Sequence, residues 1–155
     1  LPASGRVLEI AGGMGKTTDF LQCSGLDVIE LDISLTALQF ARQKNPLAYY
    51  IVADARHIPL KTQKFDVVCN FYFLDRSIFT SIFDFLAPGG LLFFETMTID
   101  MLVDKPDISP NRLLQPGELR NAFSHLDTIY YFEGWKNSDH GKRKAIAQLI
   151  ARKPV

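Results

Sequence analysis

Short apolar runs that stop at an acid or a glycine alternate, over the first 95 residues, with segments whose apolar positions recur every three or four. Residues 6–11, 27–32, 48–53, 65–71 and 91–95 are such runs, and the pattern predicts five buried strands. Between them, residues 15–23 form a helix opened by glycines. A second helix is capped by Ser34, carries Leu35, Leu38, Phe40 and Ala41 on its apolar face and stops at Asn45-Pro46. Ile78, Ile82, Phe83, Phe85 and Leu86 mark a third, ended by Pro88-Gly89-Gly90. Strands alternating with helices imply a parallel sheet covered on both faces. The periodicity then lapses over 96–115, where Pro106 and Pro110 interrupt the chain, and predicts a long functional loop. Pro116-Gly117-Glu118-Leu119 opens a further helix. Residues 128–133 and 145–151 read as two strands joined by a polar turn over 135–144, an antiparallel hairpin at one sheet edge.

With 155 residues the expectation is one domain spanning 1–155, large enough to bury a core. Apolar residues make up 47% and charged residues 22%, the balance of a globular chain. Seventeen basic residues meet seventeen acidic ones, so no global field draws the chain to nucleic acid. The basic residues Lys136, Lys142, Arg143, Lys144, Arg152 and Lys153 crowd the C-terminal stretch and read as a solvated edge and tail. Cys23 and Cys69 show no metal spacing and read as buried thiols of a cytoplasmic protein. No apolar run approaches the roughly 20 residues of a membrane span, and residues 1–5 do not read as a signal peptide. The absence of an initiator Met suggests that upstream residues, which would form a lid, are short or missing.

The turn after the first strand, Glu9-Ile10-Ala11-Gly12-Gly13-Met14-Gly15-Lys16-Thr17-Thr18, has two readings. Its last seven residues resemble the phosphate loop of the chromosome-partitioning ATPases, lacking only the signature lysine, where Ala11 stands. A phosphate loop, however, needs a magnesium-handling carboxylate on a neighbouring strand end, and Val67-Val68-Cys69-Asn70-Phe71 offers none. Glu9 would also set a negative charge behind the polyphosphate.

The other reading places Glu9-Ile10-Ala11-Gly12-Gly13-Met14-Gly15 in the pattern strand-acid-x-Gly-x-Gly-x-Gly, with Ala11 at the first glycine. Asp32 ends the second strand, Asp54-Ala55 follows the third, and Phe65-Asp66-Val67-Val68-Cys69-Asn70 and Leu86-Ala87-Pro88-Gly89-Gly90 follow in order. In these motifs and in their order the chain resembles the class I S-adenosylmethionine-dependent methyltransferases. The resemblance covers residues 5–155 and implies an α/β, doubly wound, mostly parallel seven-stranded sheet. Its implied strand order is 3-2-1-4-5-7-6, with the last strand antiparallel. It implies S-adenosyl-L-methionine as cofactor and S-adenosyl-L-homocysteine as product. Glu9 would support the methionine end, while Gly13 and Gly15 would clear space for the cofactor beside Ala11. Asp32 would accept the ribose hydroxyls next to Ile33. Asp54 and Ala55 would hold the adenine edge, and Asn70 and Phe71 would lie under the sulfonium.

Methyl transfer is an in-line displacement on an activated carbon, so it needs alignment more than a fixed set of catalytic residues; none is assigned. No Asn-Pro-Pro-Tyr or Asp-Pro-Pro-Tyr quartet follows the fourth strand, which with zero net charge argues for a small-molecule acceptor. The closing plan and Phe73-Leu74-Asp75-Arg76 are similar to the tellurite-resistance group. Tyr72 and Arg76, in the segment expected to border the methyl, are candidate acceptor residues, and by that resemblance His140 and Arg143 would reach over the site and hold an anionic substrate. No metal is implied. A cofactor-binding domain that is catalytically idle and acts with a partner is the alternative, and the partitioning ATPase a third.

Overall fold

A computed structural model describes residues 1–60, 64–137 and 141–155. Seven strands form one sheet: β1 (Arg6–Ile10), β2 (Asp27–Asp32), β3 (Tyr49–Val52), β4 (Phe65–Phe71), β5 (Leu86–Met97), β6 (Asp127–Asn137) and β7 (Arg143–Arg152). Their order is β3-β2-β1-β4-β5-β7-β6. The pairs from β3 to β5 are parallel, and β7 runs antiparallel to both β5 and β6. The predicted topology is therefore the observed one. Four α-helices flank the sheet: α1 (Lys16–Cys23), α2 (Leu35–Lys44), α3 (Phe79–Phe85) and α4 (Glu118–Ala122).

The larger core cluster joins Leu8, Ile10, Leu31 and Val68 of the central strands to Ile82 and Phe85 of α3 and Leu119 near the chain's far end. Phe79, Phe94 and Phe123 meet there with centroids 5.2–5.9 Å apart. A second cluster on the other face joins Val7, Val28, Val67 and Cys69 to Leu21 of α1. Because the central strands are buried on both faces they read as continuous apolar runs, which is why their limits were legible.

Helix α2 begins where its cap was expected: Ser34 Oγ accepts from Ala37 N–H at 3.2 Å. Three segments depart from expectation. Strand β5 starts at Leu86, before Pro88-Gly89-Gly90, so those residues lie within the strand and do not merely end α3. The register slips between Phe65 and Val67, the irregularity that lets a proline sit in a paired strand. The expected loop over 96–115 contains 3₁₀ turns at Ile99–Val103 and Pro110–Arg112, tied down by a bridge between Thr98 and Leu114. Strands β6 and β7 reach to Asn137 and back from Arg143, so both ends of the expected polar turn are strand. Cys69 is buried as expected, whereas Cys23, on the last turn of α1, is exposed.

From β3 the chain crosses to the opposite side of β1 before entering β4, so the strand order reverses between β1 and β4. The crevice outside the carboxyl ends of those two strands is where open α/β sheets bind ligands. Among the described residues, no helix is long and apolar enough to cross a membrane.

Candidate functional site

At the carboxyl ends of β1, β2 and β3 lies a hollow of about 230 Å³. Apolar Ala11, Leu31, Ile33, Ala53 and Phe73 wall it, and Asp32, Asp54, Asp75 and Arg56 stand around it. Each aspartate is fixed by the backbone two residues on, as short acidic side chains do in turns. Asp32 Oδ1 accepts from Ser34 N–H at 2.8 Å, Asp54 Oδ1 from Arg56 N–H at 2.9 Å, and Asp75 Oδ1 from Ser77 N–H at 3.0 Å. The second oxygen of Asp32 accepts from Gly13 N–H at 3.0 Å and so stitches the glycine turn to the end of β2. Arg56 grips Asp54 through its guanidinium as well, which holds the carboxyl at about 2.

The glycine turn is built by three different demands. Gly13 has φ +66°, and a Cβ there would meet nothing within 4 Å. Its open side is the free approach of a ligand to backbone, and its conformation excludes most side chains. Gly15 has φ +73°, but a Cβ on it would come within 2.8 Å of Ala41 Cβ, so this glycine serves the packing of α1 on α2 and not ligand clearance. A Cβ on Gly12 would collide with the side chain of Glu30 at 2.5 Å. Ala11 stands at the first glycine position with φ +56°, a left-handed conformation costly for any residue with a Cβ.

Beneath the turn, Glu9 of β1 and Glu30 of β2 sit side by side in register, both buried. Thr18 Oγ1 lies 2.5 Å from Glu9 Oε2 and 2.6 Å from Glu30 Oε2. A hydroxyl donates one hydrogen bond. It cannot satisfy two carboxylates at once, so one of the pair carries a proton and donates to Thr18. Burial raises both acids, Glu30 to about 7, and Glu9 and Asp32 add like-charge repulsion. Glu30 Oε1 is buried with no hydrogen-bond partner among the described residues. Glu9 thus works from below the turn. Lys16, by contrast, is exposed on α1, and three carboxylates against one guanidinium make the hollow hostile to polyphosphate.

Asn70, the last residue but one of β4, is fully buried. Its Nδ2 donates to Phe73 O at 2.7 Å, while its Oδ1, also buried, has no partner among the described residues. Phe71 turns its ring to the α1 side of the sheet against the second core cluster. Ala55 is buried at the foot of the hollow, and Ile33 is exposed at its lip.

The acceptor candidates divide. Arg76 donates to Glu118 with two nitrogens and to the carbonyls of Asn111 and Leu113 at 2.9 and 3.0 Å, so it anchors the 98–117 segment. Arg143 is paired with both oxygens of Asp104 at 2.8 Å and stacked over Trp135. Tyr72 lies at the end of β4 with an exposed ring and φ +58°. His140 falls outside the described residues. Thr18, Glu30, Arg56 and Asp75 were not picked out in the sequence. The inward position of Glu30 on a strand buried on both faces was the one available signal.

A family model described as "Methyltransferase domain" matches residues 8–94, more than half of the chain. A malonyl-[acyl-carrier protein] O-methyltransferase of Enterobacter lignolyticus is 31% identical over 136 residues, covering 78% of this chain and 53% of that protein. The chain thus spans about half the length, or less, of the curated relatives it matches. A solved methyltransferase from Methanosarcina mazei shares the fold at a TM-score of 0.82 and 19% identity, covering 100% of this chain and 95% of that one. TehB from Haemophilus influenzae shares it at 0.79 and 20%, covering 97% and 58%.

Proposed function

Because the chain belongs to the class I S-adenosylmethionine-dependent methyltransferases, we propose that it binds S-adenosylmethionine over the glycine turn and methylates a small-molecule acceptor. The observation that carries this reading is Gly13, whose open backbone is tied by Asp32 into the wall of an apolar, acid-rimmed hollow.

The residues present suit the group. Asp32 keeps lone pairs for the ribose hydroxyls, since its two bonds to backbone N–H use only part of its accepting capacity. Ile33, Ala53 and Phe73 offer a flat base apolar walls, with Ala55 at its edge. Asp54 accepts from the adenine amine if Arg56, which is exposed, gives up part of its grip. Asn70, with its orphaned Oδ1, and the backbone of Phe71 would serve the methionine end. Glu9 and Thr18 hold the turn from beneath, and Gly12 and Gly15 let it pack against Glu30 and Ala41. Ala11 supplies the turn's left-handed step.

The cofactor supplies an electrophilic methyl on a good leaving group. The protein's part is to align the acceptor with that methyl and exclude water, and no residue is assigned as a base. The Enterobacter relative is named for malonyl-[acyl-carrier protein], a small acyl group on a carrier, and this supports a small acceptor group. Calorimetric titration with S-adenosylhomocysteine and with magnesium ATP tests the reading. The nucleoside thioether is expected to bind and ATP not to. Binding of ATP alone would overturn it. Cofactor binding without transfer to any acceptor of a small-molecule panel would favour an idle domain that acts with a partner.

A further inference from the structure

Among the described residues, the rim beyond β4 carries lysines that make no ion pair with a carboxylate, and one of them lies against an aromatic ring. Of the basic side chains there, Arg76 is committed to Glu118 and Arg143 to Asp104. Lys136 Nζ reaches Gln148 Oε1 at 3.4 Å, and Gln148 donates in turn to Glu95. Lys144, at the start of β7, makes no ion pair with any described residue. Its ammonium lies 4.4 Å from the centroid of the Tyr72 ring. The residue is part-buried.

Tyr72 is the residue that presents this ring, and its backbone is strained to do so. It has φ +58°, rare for a bulky side chain, and is held by its N–H donating to Glu95 O at 2.7 Å. Strain of this kind persists where the surroundings over-determine it, and it clusters at ligand-binding positions. It stands two residues beyond Asn70, at the end of the strand that borders the cofactor crevice.

Resting on the methyltransferase reading above, we propose that Lys144 and Tyr72 form the anion end of the acceptor site. The acceptor is then an acid, a carboxylate or a phosphate attached to an apolar body, with the anion on the ammonium and the body against the exposed ring. A cationic acceptor is disfavoured because Lys144 already occupies the electron-rich face of Tyr72. Charge divides the two ligands between the two halves of the rim, the acid-rimmed hollow for the sulfonium cofactor and the lysine for the acceptor anion.

The test is titration of the protein with benzoate, phenyl phosphate, benzamide and benzylammonium, with and without saturating S-adenosylhomocysteine, followed by amide chemical shifts. At least one anion is expected to bind with shifts at Tyr72 and the start of β7, and the better of the two identifies the headgroup. Lys144→Gln is expected to weaken it roughly fivefold, the scale of a partly exposed charge pair, and Lys144→Arg to restore most of the loss. Tyr72→Leu should weaken it in the same direction. Affinity for S-adenosylhomocysteine serves as the folding control in each variant. The proposal is overturned if neither anion binds, if benzamide or benzylammonium binds as well, or if Lys144→Gln changes the anion's affinity by less than about twofold. Failure of S-adenosylhomocysteine to bind the wild-type protein would instead remove the cofactor reading, and the titrations without it would still decide the role of Lys144.

Discussion

The strand ends over β1–β3 and those over β4–β7 are built in opposite ways. Over the first, Asp32, Asp54 and Asp75 are each fixed by a backbone N–H two residues away, so the geometry is local and the charge negative. Over the second, the cations are fixed across the chain, Arg76 to Glu118 at a separation of 42 residues and Arg143 to Asp104 at 39. The first half is a set of short turns, each fixed by its own aspartate. The second is a surface assembled only after the whole sheet has closed. A fold that keeps one ligand constant and varies the other benefits from that division, since sites rest on the scaffold and not on the fold class.

The largest expected effect lies under the local half. In the folded chain Glu30 loses its proton only at about 7, whereas an unfolded glutamate ionises near 4.3. Between those values the folded protein holds a proton that the unfolded chain has released. Stability is therefore full below about pH 4 and falls as pH rises through about 7, by on the order of 2–4 kcal/mol. Urea unfolding at pH 5 and pH 8 should show the wild type weaker at pH 8. Glu30→Gln, which keeps a donor for Thr18, should flatten that slope. An unchanged slope would mean that Glu9, Thr18 and Glu30 do not share a proton.

Next in size is Asp32. Removing its carboxylate frees Gly13 N–H and the end of β2 together. Asp32→Ala is expected to weaken S-adenosylhomocysteine binding by about 1–3 kcal/mol, the scale of polar groups left without partners. Isothermal calorimetry measures it directly, and unchanged affinity would take Asp32 out of the cofactor site. A smaller effect is expected in the long-range half. Arg76→Lys cannot reproduce the planar fork that reaches Glu118 and two carbonyls. It should cost about 1 kcal/mol, modest because the pair is partly exposed. Amide exchange should quicken over 98–115 while the hollow's amides keep their protection. Equal quickening in both halves would erase the distinction between them.

That distinction also explains what the sequence disclosed. The strands and the glycine turn were legible because strand periodicity and short motifs act within a few residues, whereas the strand order followed from the family resemblance those motifs carry. Asp32 and Asp54 were visible as acids closing strands. Glu30 was not, because an acid inside an apolar run gives no sign that its neighbour across the register is Glu9. Arg76 and Arg143 were visible as charges but not as anchors, since Glu118 and Asp104 become their partners only through tertiary packing. Lys144 looked like one more solvated tail residue until β7 brought it over Tyr72. The expected turn at 135–144 hid this, because extending β6 and β7 is a property of the pairing and not of either segment.

The smallest effect separates strain from function within the turn itself. Ala11 and Tyr72 are the two residues other than glycine with positive φ among those described, one in each half of the rim. At Ala11 the left-handed conformation costs roughly 1–2 kcal/mol because of its Cβ. Glycine would relieve that cost but would lose more entropy on folding, by roughly 0.5–1 kcal/mol. Ala11→Gly should therefore stabilise the protein by roughly 0–1.5 kcal/mol, a rise of up to a few degrees in melting temperature. The hydrogen bond from Gly13 to Asp32 already fixes the turn, so affinity for S-adenosylhomocysteine should stay within about twofold. A melting temperature that rises while affinity falls further would show that the strain at Ala11 shapes the cofactor site, and the local half would then resemble Tyr72 in storing strain for a ligand.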